Sequence, residues 1–473
     1  MPFEPLCFIH ASNLSLDHPQ EELGVGSQEL GGQEPGSPDP VRLLAPRSLL
    51  LTEETGPLPD EIREIVEEST LTAYQRVIQE SIKHSVDFVL LTGNSFDEND
   101  RSLRARIALL DGFHRLAEHD IRVFVLPGVT DPSAAWRAIP DVPDNVTTFF
   151  RSSGESVAVF REGKVIASVA CSTLEKEANQ HEASVTSGNG KSGRRDPFRV
   201  GVQLVGDEMR KLDLTSADAD AVHDRFSTSN GLASFSHAAF DYLALGGPDL
   251  RRTIATRAGI SHNPGSTQGW APTQTGPHGC TLVKVDSQGG IQCKLIPTAP
   301  LRWESAVNGI EPDMSPDELV HQMRTLIGQC RPNASEHLWL VNWTFPGCGP
   351  LYESLQCEQG RRQLIDLFAR AAAEDEFPRM IHRIRLLPDC RQVESARDDN
   401  RLANDYLAVL EHTEVLNLPS MADYLTDIAP SETTWGDRLR QLIDGLDHNT
   451  ILGHARRLGI EQFSGTLEAE SEN

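Results

Sequence analysis

A chain of 473 residues has room for about two to four domains of roughly 150 residues each, and 38% hydrophobic with 24% charged residues is an ordinary globular composition. Its 69 acidic against 43 basic side chains give a net charge of −26, which opposes unaided binding to a phosphate backbone, since such affinity comes largely from Lys and Arg. No apolar run approaches the roughly 18 residues of a membrane span, and MPFEPLCFIHAS lacks the basic flank and cleavage site of a signal peptide, so a cytoplasmic protein that meets no membrane is expected.

Pro5 to Leu16 opens with a short apolar strand, Leu6 to Ile9, that runs into a polar turn. Residues 17 to 57, rich in Gly, Pro, Glu and Ser, read as a loop insertion. From Asp60 a helix is predicted, because Ile62, Ile65, Val66, Leu71, Tyr74, Val77, Ile78 and Ile82 recur at helical spacing. Next comes VDFVLLTGNSFD, Val86 to Asp97, where an apolar run closed by Gly93 predicts a strand buried on both faces. Asn94, Ser95 and Asp97 then sit at the carboxyl end of a central strand, the edge at which open α/β sheets bind ligands. A helix from about Ser102 to Glu118 and a strand Ile121 to Leu126 complete a βαβ pattern, followed by the turn VTDP.

Residues 156 to 172 predict a hairpin around Glu162 and Gly163, residues 175 to 196 a surface loop, and Phe198 to Val205 a further strand. A helical or irregular stretch over 208 to 236 precedes a strand at Tyr242 to Leu245, and Thr281 to Asp286 with Ile291 to Ile296 read as another hairpin. After about residue 300 the pattern becomes helix 316 to 329, strand Leu338 to Trp343, helix 350 to 373 and strand Ile381 to Leu387, a small α+β module. Residues 400 to 458 read as mainly helical, ahead of an acidic tail. The domains expected are therefore 1–300, 301–395 and 396–473. The eight cysteines are scattered without a C-x-x-C pair, which fits reduced thiols, most of them in the core.

Taken in order, the strand-end turns are His10-Ala-Ser-Asn13-Leu-Ser15, Gly93-Asn94-Ser-Phe-Asp97, Gly128-Val129-Thr130-Asp131 and Leu245-Gly246-Gly247-Pro-Asp249. These resemble the calcineurin-like metallophosphoesterase signature D-x-H, G-D-x-x-D, G-N-H-D/E and G-H-x-H. With VDFVLLTGNSFD, RSLRARIALLDGFHRLAEHDIRVFVLPGVTDP, FDYLALGG and HNPGSTQGWAPTQTGPHGCTLVKVD, the chain is similar to SbcD-type DNA repair exonuclease subunits over most of residues 5 to 300. Weaker likeness, LRWE at 301 to 304 and LWLVNWTFPGCGPL, continues into that family's capping domain. The resemblance implies an α/β (α+β layered) fold: a β-sandwich flanked by helices, a small α+β capping domain and a helical C-terminus.

In that family two divalent cations, typically Mn²⁺, are held by carboxylates, imidazoles and an asparagine, and they clamp the phosphate and generate the attacking hydroxide. Here the first motif's aspartate and histidine are Asn13 and Ser15, and the second motif's bridging aspartate is Asn94. Val129 stands for the metal-binding asparagine, Thr130 for the histidine that assists the leaving group, and Gly247 and Asp249 for the last two histidines. Between Val200 and Asp207, where a further histidine belongs, there is none. A bridging carboxylate exchanged for a neutral amide removes a full negative charge between two dications, so neither cofactor nor catalytic residue is expected. A single Mg²⁺ on oxygens of Asn13, Asn94, Asp97, Asp131 and Asp249 is the residual option. Asp97 and Asp131 read more simply as turn-stabilising carboxylates. His10 matches a position often histidine in that family but outside its metal-ligand motifs, and His262 and His278 could form a relocated site, although surface or turn histidines are the commoner outcome.

The resemblance implies an SbcD-like subunit that has lost nuclease activity and serves an SbcC-type coiled-coil ATPase as scaffold or partner, meeting DNA through that complex. A homodimer is a further option. Residues 435 to 458 put Leu439, Leu442, Ile443 and Leu446 on one stripe, which suits a groove or coiled coil and equally an intramolecular packing helix. The alternatives are an active phosphoesterase or exonuclease with a rearranged site, and a ligand sensor using the vacated pocket.

Overall fold

Strand β1 (Leu6–Ala11) is apolar along both faces because it has two cores to fill. Leu6 and Phe8 point one way, Ile9 and Ala11 the other, and all four are buried. The computed structural model describes residues 4–18, 48–51, 58–150, 156–171, 197–205, 240–255 and 259–388, with Tyr406 and Val409. The chain divides into two units: residues 1–306, 320–343 and 362–383, and residues 307–319, 344–361 and 384–473.

In the first unit the chain continues through β2 (Ser48–Leu50), α1 (Asp60–Glu67), α2 (Ser69–Lys83), β3 (Phe88–Thr92), α3 (Leu103–Ala117), β4 (Arg122–Leu126), α4 (Ser133–Arg137) and β5 (Val146–Thr148). Then follow the hairpin β6 (Ser156–Arg161) and β7 (Lys164–Cys171), and strands β8 (Phe198–Leu204), β9 (Tyr242–Gly246), β10 (Arg252–Ala255) and β11 (Ile260–Asn263). A second hairpin, β12 (Gly279–Val285) and β13 (Ile291–Pro297), precedes β14 (Leu301–Val307). Two six-stranded sheets result, in the orders β13-β12-β1-β3-β4-β5 and β10-β11-β9-β8-β7-β6. Phe8, Phe88, Leu90 and Phe124 of the first pack with Val169, Val200, Tyr242 and Ala244 of the second to form the inter-sheet core. Ile9, Val89, Leu91, Val123 and Val125 turn to the opposite face, where α2 and α3 cover them with Tyr74, Val77, Leu109 and Phe113. This is the expected sandwich with helices outside.

Strands β1, β3, β4 and β5 run parallel, as do β7, β8, β9 and β11, so in each sheet several strand ends share one edge. The register His10 with Leu90, and Thr92 with Leu126, aligns the turns that begin at Ser12, Gly93 and Pro127.

The periodic stripe from Asp60 breaks at Glu68 because its halves serve different cores. Ile62 and Val66 of α1 pack on Leu301, Trp303, Leu338 and Leu340, whereas α2 covers the first sheet. The chain goes on through α5 (Pro316–Gln329), β15 (Leu338–Gly347), α6 (Pro350–Gln356), α7 (Glu358–Ala371) and β16 (Arg379–Pro388). A third sheet has the order β14-β15-β16-β2. Within the stretch read as a loop, Ser48–Leu50 is thus a strand, paired in parallel with Met380, Ile381 and His382. Its three residues are too few to show alternation.

In the second unit Ile310 bridges Gly347, and Leu351, Tyr352 and Leu355 form the buried side of α6. The single helix expected over 350 to 373 is interrupted at Cys357, whose backbone is extended. Arg361 caps the end of α6 by donating to the Leu355 and Gln356 carbonyls at 2.8 and 2.9 Å. The stretches 175 to 196, 208 to 236 and 435 to 458 lie outside the described residues. Among those described, Tyr406 and Val409 are helical, and no helix is long and apolar enough to cross a membrane.

Candidate functional site

Where β1 and β3 end, the backbone turns through left-handed residues, Asn13 at φ 47° and Asn94 at φ 54°, a conformation asparagine tolerates better than most residues. The two turns are laced together: Asn13 N–H donates to the Gly93 carbonyl at 3.1 Å, and Ser15 N–H to the Asn94 carbonyl at 3.0 Å. The two asparagine side chains consequently face each other, and Asn13 also reaches the end of β9.

The polar chain that follows is continuous. Asn94 Oδ1 accepts from the Val129 N–H at 3.0 Å and the Thr130 N–H at 3.3 Å, and Asn94 Nδ2 donates to Asn13 Oδ1 at 3.1 Å. Asn13 Nδ2 donates onward to the Gly247 carbonyl at 2.8 Å and to Asp249 Oδ1 at 2.7 Å. Thr130 hydroxyl lies 3.3 Å from Asn94 Oδ1 and 2.9 Å from the Phe96 carbonyl. Gly128 permits this closure, since a Cβ there would collide with Asn94 and Asp131. Gly246 likewise lets β9 approach the Thr92 carbonyl.

Asp131 is the anchor beneath. Its carboxylate accepts from the N–H groups of Gly128 (2.6 Å), Asn94 (2.8 Å) and Ser95 (2.9 Å) and from Trp136 Nε1 (3.0 Å). Burial pushes its pKa up to about 6 although all four donors favour the charged form, so at neutral pH it remains a carboxylate. Asp97 accepts from Asn99 N–H at 2.8 Å, an Asx turn.

The structure therefore brings Asn13, Asn94, Thr130, Asp131, Gly247 and Asp249 into one hydrogen-bonded cluster. Val129 joins through its backbone N–H, and the residue is otherwise exposed. Ser15 joins through its N–H, and Asp97 stabilises its own turn. Against the expectation of surface or turn positions, His10, His262 and His278 are buried. They sit on inward-facing strand and loop positions where hydroxyls wait for them. His10 Nδ1 meets Tyr242 hydroxyl and its Nε2 meets Thr92 hydroxyl, both at 2.9 Å. Thr92 in turn reaches the Leu245 carbonyl at 3.2 Å, which leaves its oxygen to accept and makes His10 the Nε2–H tautomer. His262 bonds Thr253 at 2.7 Å and Thr281 at 2.8 Å, and His278 bonds Ser266 at 2.8 Å and the Gln274 carbonyl at 3.1 Å. Burial holds His10 and His278 neutral, below the usual imidazole range, and takes His262 down to about 3 with help from Arg251. A relocated site built on these rings has no free nitrogen to offer.

The cation pair of active relatives does not fit this donor set. Both amide oxygens are turned to N–H donors, and among the described residues no three His, Cys, Asp or Glu side chains gather as a metal would need. The sequence motifs do not reveal Thr92, Tyr242 and Trp136, which support the cluster from inside. Only their inward positions on apolar elements mark them.

No family model matches the chain. An uncharacterized metallophosphoesterase of Bacillus subtilis, YhaO, is 29% identical over 264 residues, covering 53% of this chain and 57% of that protein. The match thus spans little more than half the length of that relative. Among solved structures, GAP50, the anchor in the inner membrane complex of Plasmodium, is 13% identical with a TM-score of 0.31 over 62% of this chain and 85% of its own. A dimetal phosphatase from Danio rerio is 9% identical, also at a TM-score of 0.31, over 62% of this chain and 99% of its own.

Proposed function

Within the metallophosphoesterase superfamily, to which the sequence relative and the sandwich fold tie this chain, we propose a non-hydrolytic, SbcD-like subunit of a DNA repair assembly in the cytoplasm. Its phosphoesterase fold serves as a scaffold for an SbcC-type coiled-coil ATPase, and DNA is reached through that complex. The observation that carries the loss of activity is the Asn94 to Asn13 chain, in which Asn94 Oδ1 accepts from the Val129 and Thr130 N–H groups and Asn13 Oδ1 from Asn94 Nδ2, so the oxygens that a dimetal centre would use already face N–H donors. The order of the motif turns supports the SbcD-like reading. The net charge of −26 and the apolar stripe of residues 435 to 458 support an indirect route to DNA and a helical docking element.

Hydrolysis of bis(p-nitrophenyl) phosphate in excess Mn²⁺ tests the first part. The expected rate equals that of buffer with Mn²⁺, and turnover that survives further purification would favour an active, rearranged site. Co-expression with an SbcC-type coiled-coil ATPase, should an adjacent reading frame encode one, tests the second. A stable complex lost on removal of residues 435 to 458 is expected, and two separately eluting proteins would contradict it.

A further inference from the structure

We infer that the Asn94–Asn13 amide chain is a metal-independent clasp between the two sheets, with a fixed direction that excludes carboxylates at positions 13 and 94. The inference goes beyond the proposed function, because it concerns what holds this edge together and not what the edge no longer does.

Direction follows from groups that can play only one part. The Val129 and Thr130 N–H groups only donate, so the Asn94 atom facing them, 3.0 and 3.3 Å away, is the carbonyl oxygen. Its Nδ2 must then face Asn13. The Gly247 carbonyl only accepts, so the Asn13 atom 2.8 Å from it is the nitrogen, which leaves Asn13 Oδ1 to receive Asn94. Backbone groups fix both ends, and neither amide can flip alone. The chain starts at the turn after β4, passes the ends of β3 and β1, and finishes at the end of β9 in the other sheet. Asn13 and Asn94 are 1% and 8% exposed, so water cannot readily replace a lost partner.

An aspartate at position 13 could still accept from Asn94, but its other oxygen would face the Gly247 carbonyl and Asp249 Oδ1 at distances now bridged by protons. An aspartate at 94 keeps its bonds to Val129 and Thr130 and meets one opposed oxygen, Asn13 Oδ1. Both residues tolerate the left-handed backbone, so the cost lies in the side-chain pairing. A merely vacated metal site would make each reversion neutral; the clasp makes each destabilising, with Asn13→Asp the worse.

The test is the melting temperature of the full chain carrying Asn13→Asp, Asn94→Asp, Asp249→Asn or Asn13→Asp with Asp249→Asn, each in excess EDTA and in excess Mn²⁺. Asn13→Asp should lower it by roughly 4–8 °C and Asn94→Asp by less, with no recovery in Mn²⁺. An amide at 249 can donate to a carboxylate at 13, so the double variant should regain a substantial part of the loss, more than the sum of the single changes allows. Should Asn13→Asp fail to fold, a folded double variant supports the clasp by the same rescue, and Asn94→Asp supplies the stability comparison. Single reversions as stable as the parent, recovery in Mn²⁺, or strict additivity at 13 and 249 would each overturn the inference. Hydrolysis by the parent chain would overturn the proposed function and leave these shifts unaffected, so the two failures are distinguishable.

Discussion

Two buried polar clusters in this chain solve the same problem in opposite ways. At the strand ends Asn13 and Asn94 are neutral amides, whereas on β14 and just before β15 Arg302, Glu304 and Glu336, between 6% and 9% exposed, are joined as ion pairs. Arg302 pairs with both glutamates, stacks 4.8 Å from the Trp339 ring centre, and donates to the Arg331 carbonyl. Glu336 also accepts from Trp339 Nε1 at 2.9 Å and from Asn333. Charge survives burial where opposite charge and N–H donors surround it. At the motif edge the two side chains that link the sheets are uncharged amides and need no counter-charge.

That contrast can be broken first on the ionic side. Glu336→Ala leaves Arg302 with one carboxylate partner and strands the Trp339 and Asn333 donors, a loss of about 3–5 kcal/mol in urea unfolding. An effect below about 1 kcal/mol, the range of exposed pairs, would show that the cluster is solvated and the contrast false.

On the amide side the largest loss should come from the buried carboxylate that anchors the turns. Asp131→Ala deprives Gly128, Asn94, Ser95 and Trp136 of their common acceptor and should cost about 2–4 kcal/mol. Equal stability of the variant would mean that the turns hold without it.

Acid sharpens the comparison, because the neutral side also rests on uncharged histidines. The folded pKa of His262, about 3, lies below the ordinary imidazole value, so its contribution is present above about pH 6.5 and is lost as pH falls. Between pH 6.5 and 5 this single ring should cost about 2 kcal/mol. Urea midpoints of the parent and His262→Gln measure it: the parent's should fall more steeply over that interval, and parallel slopes would place the ring in solvent.

Much of the sandwich was legible because β1, β3 and β4 are short apolar runs closed by Gly or polar turns, and α3 carries one clean stripe. The three-residue strand at Ser48 and the break at Glu68 were not, since both depend on a sheet assembled from residues distant in sequence. The site shows the same division. The resemblance of the motif turns singled out Asn13, Asn94, Thr130 and Asp249, which the structure joins by hydrogen bonds. The sequence could not say that the amides bond one another, because this depends on how closely Gly128 and Gly246 let the turns approach. Nor could it place His10, His262 and His278, whose hydroxyl partners Tyr242, Thr253, Thr281 and Ser266 lie on other strands and turns.

The measurement that bears most directly on the account is calorimetric titration of Mn²⁺ into the full chain after treatment with chelator and dialysis. Oxygens already committed to N–H donors predict heats of dilution alone, with no saturable uptake. Two equivalents taken up tightly would contradict it, and would mean that the Asn13–Asn94 chain opens to admit the ions.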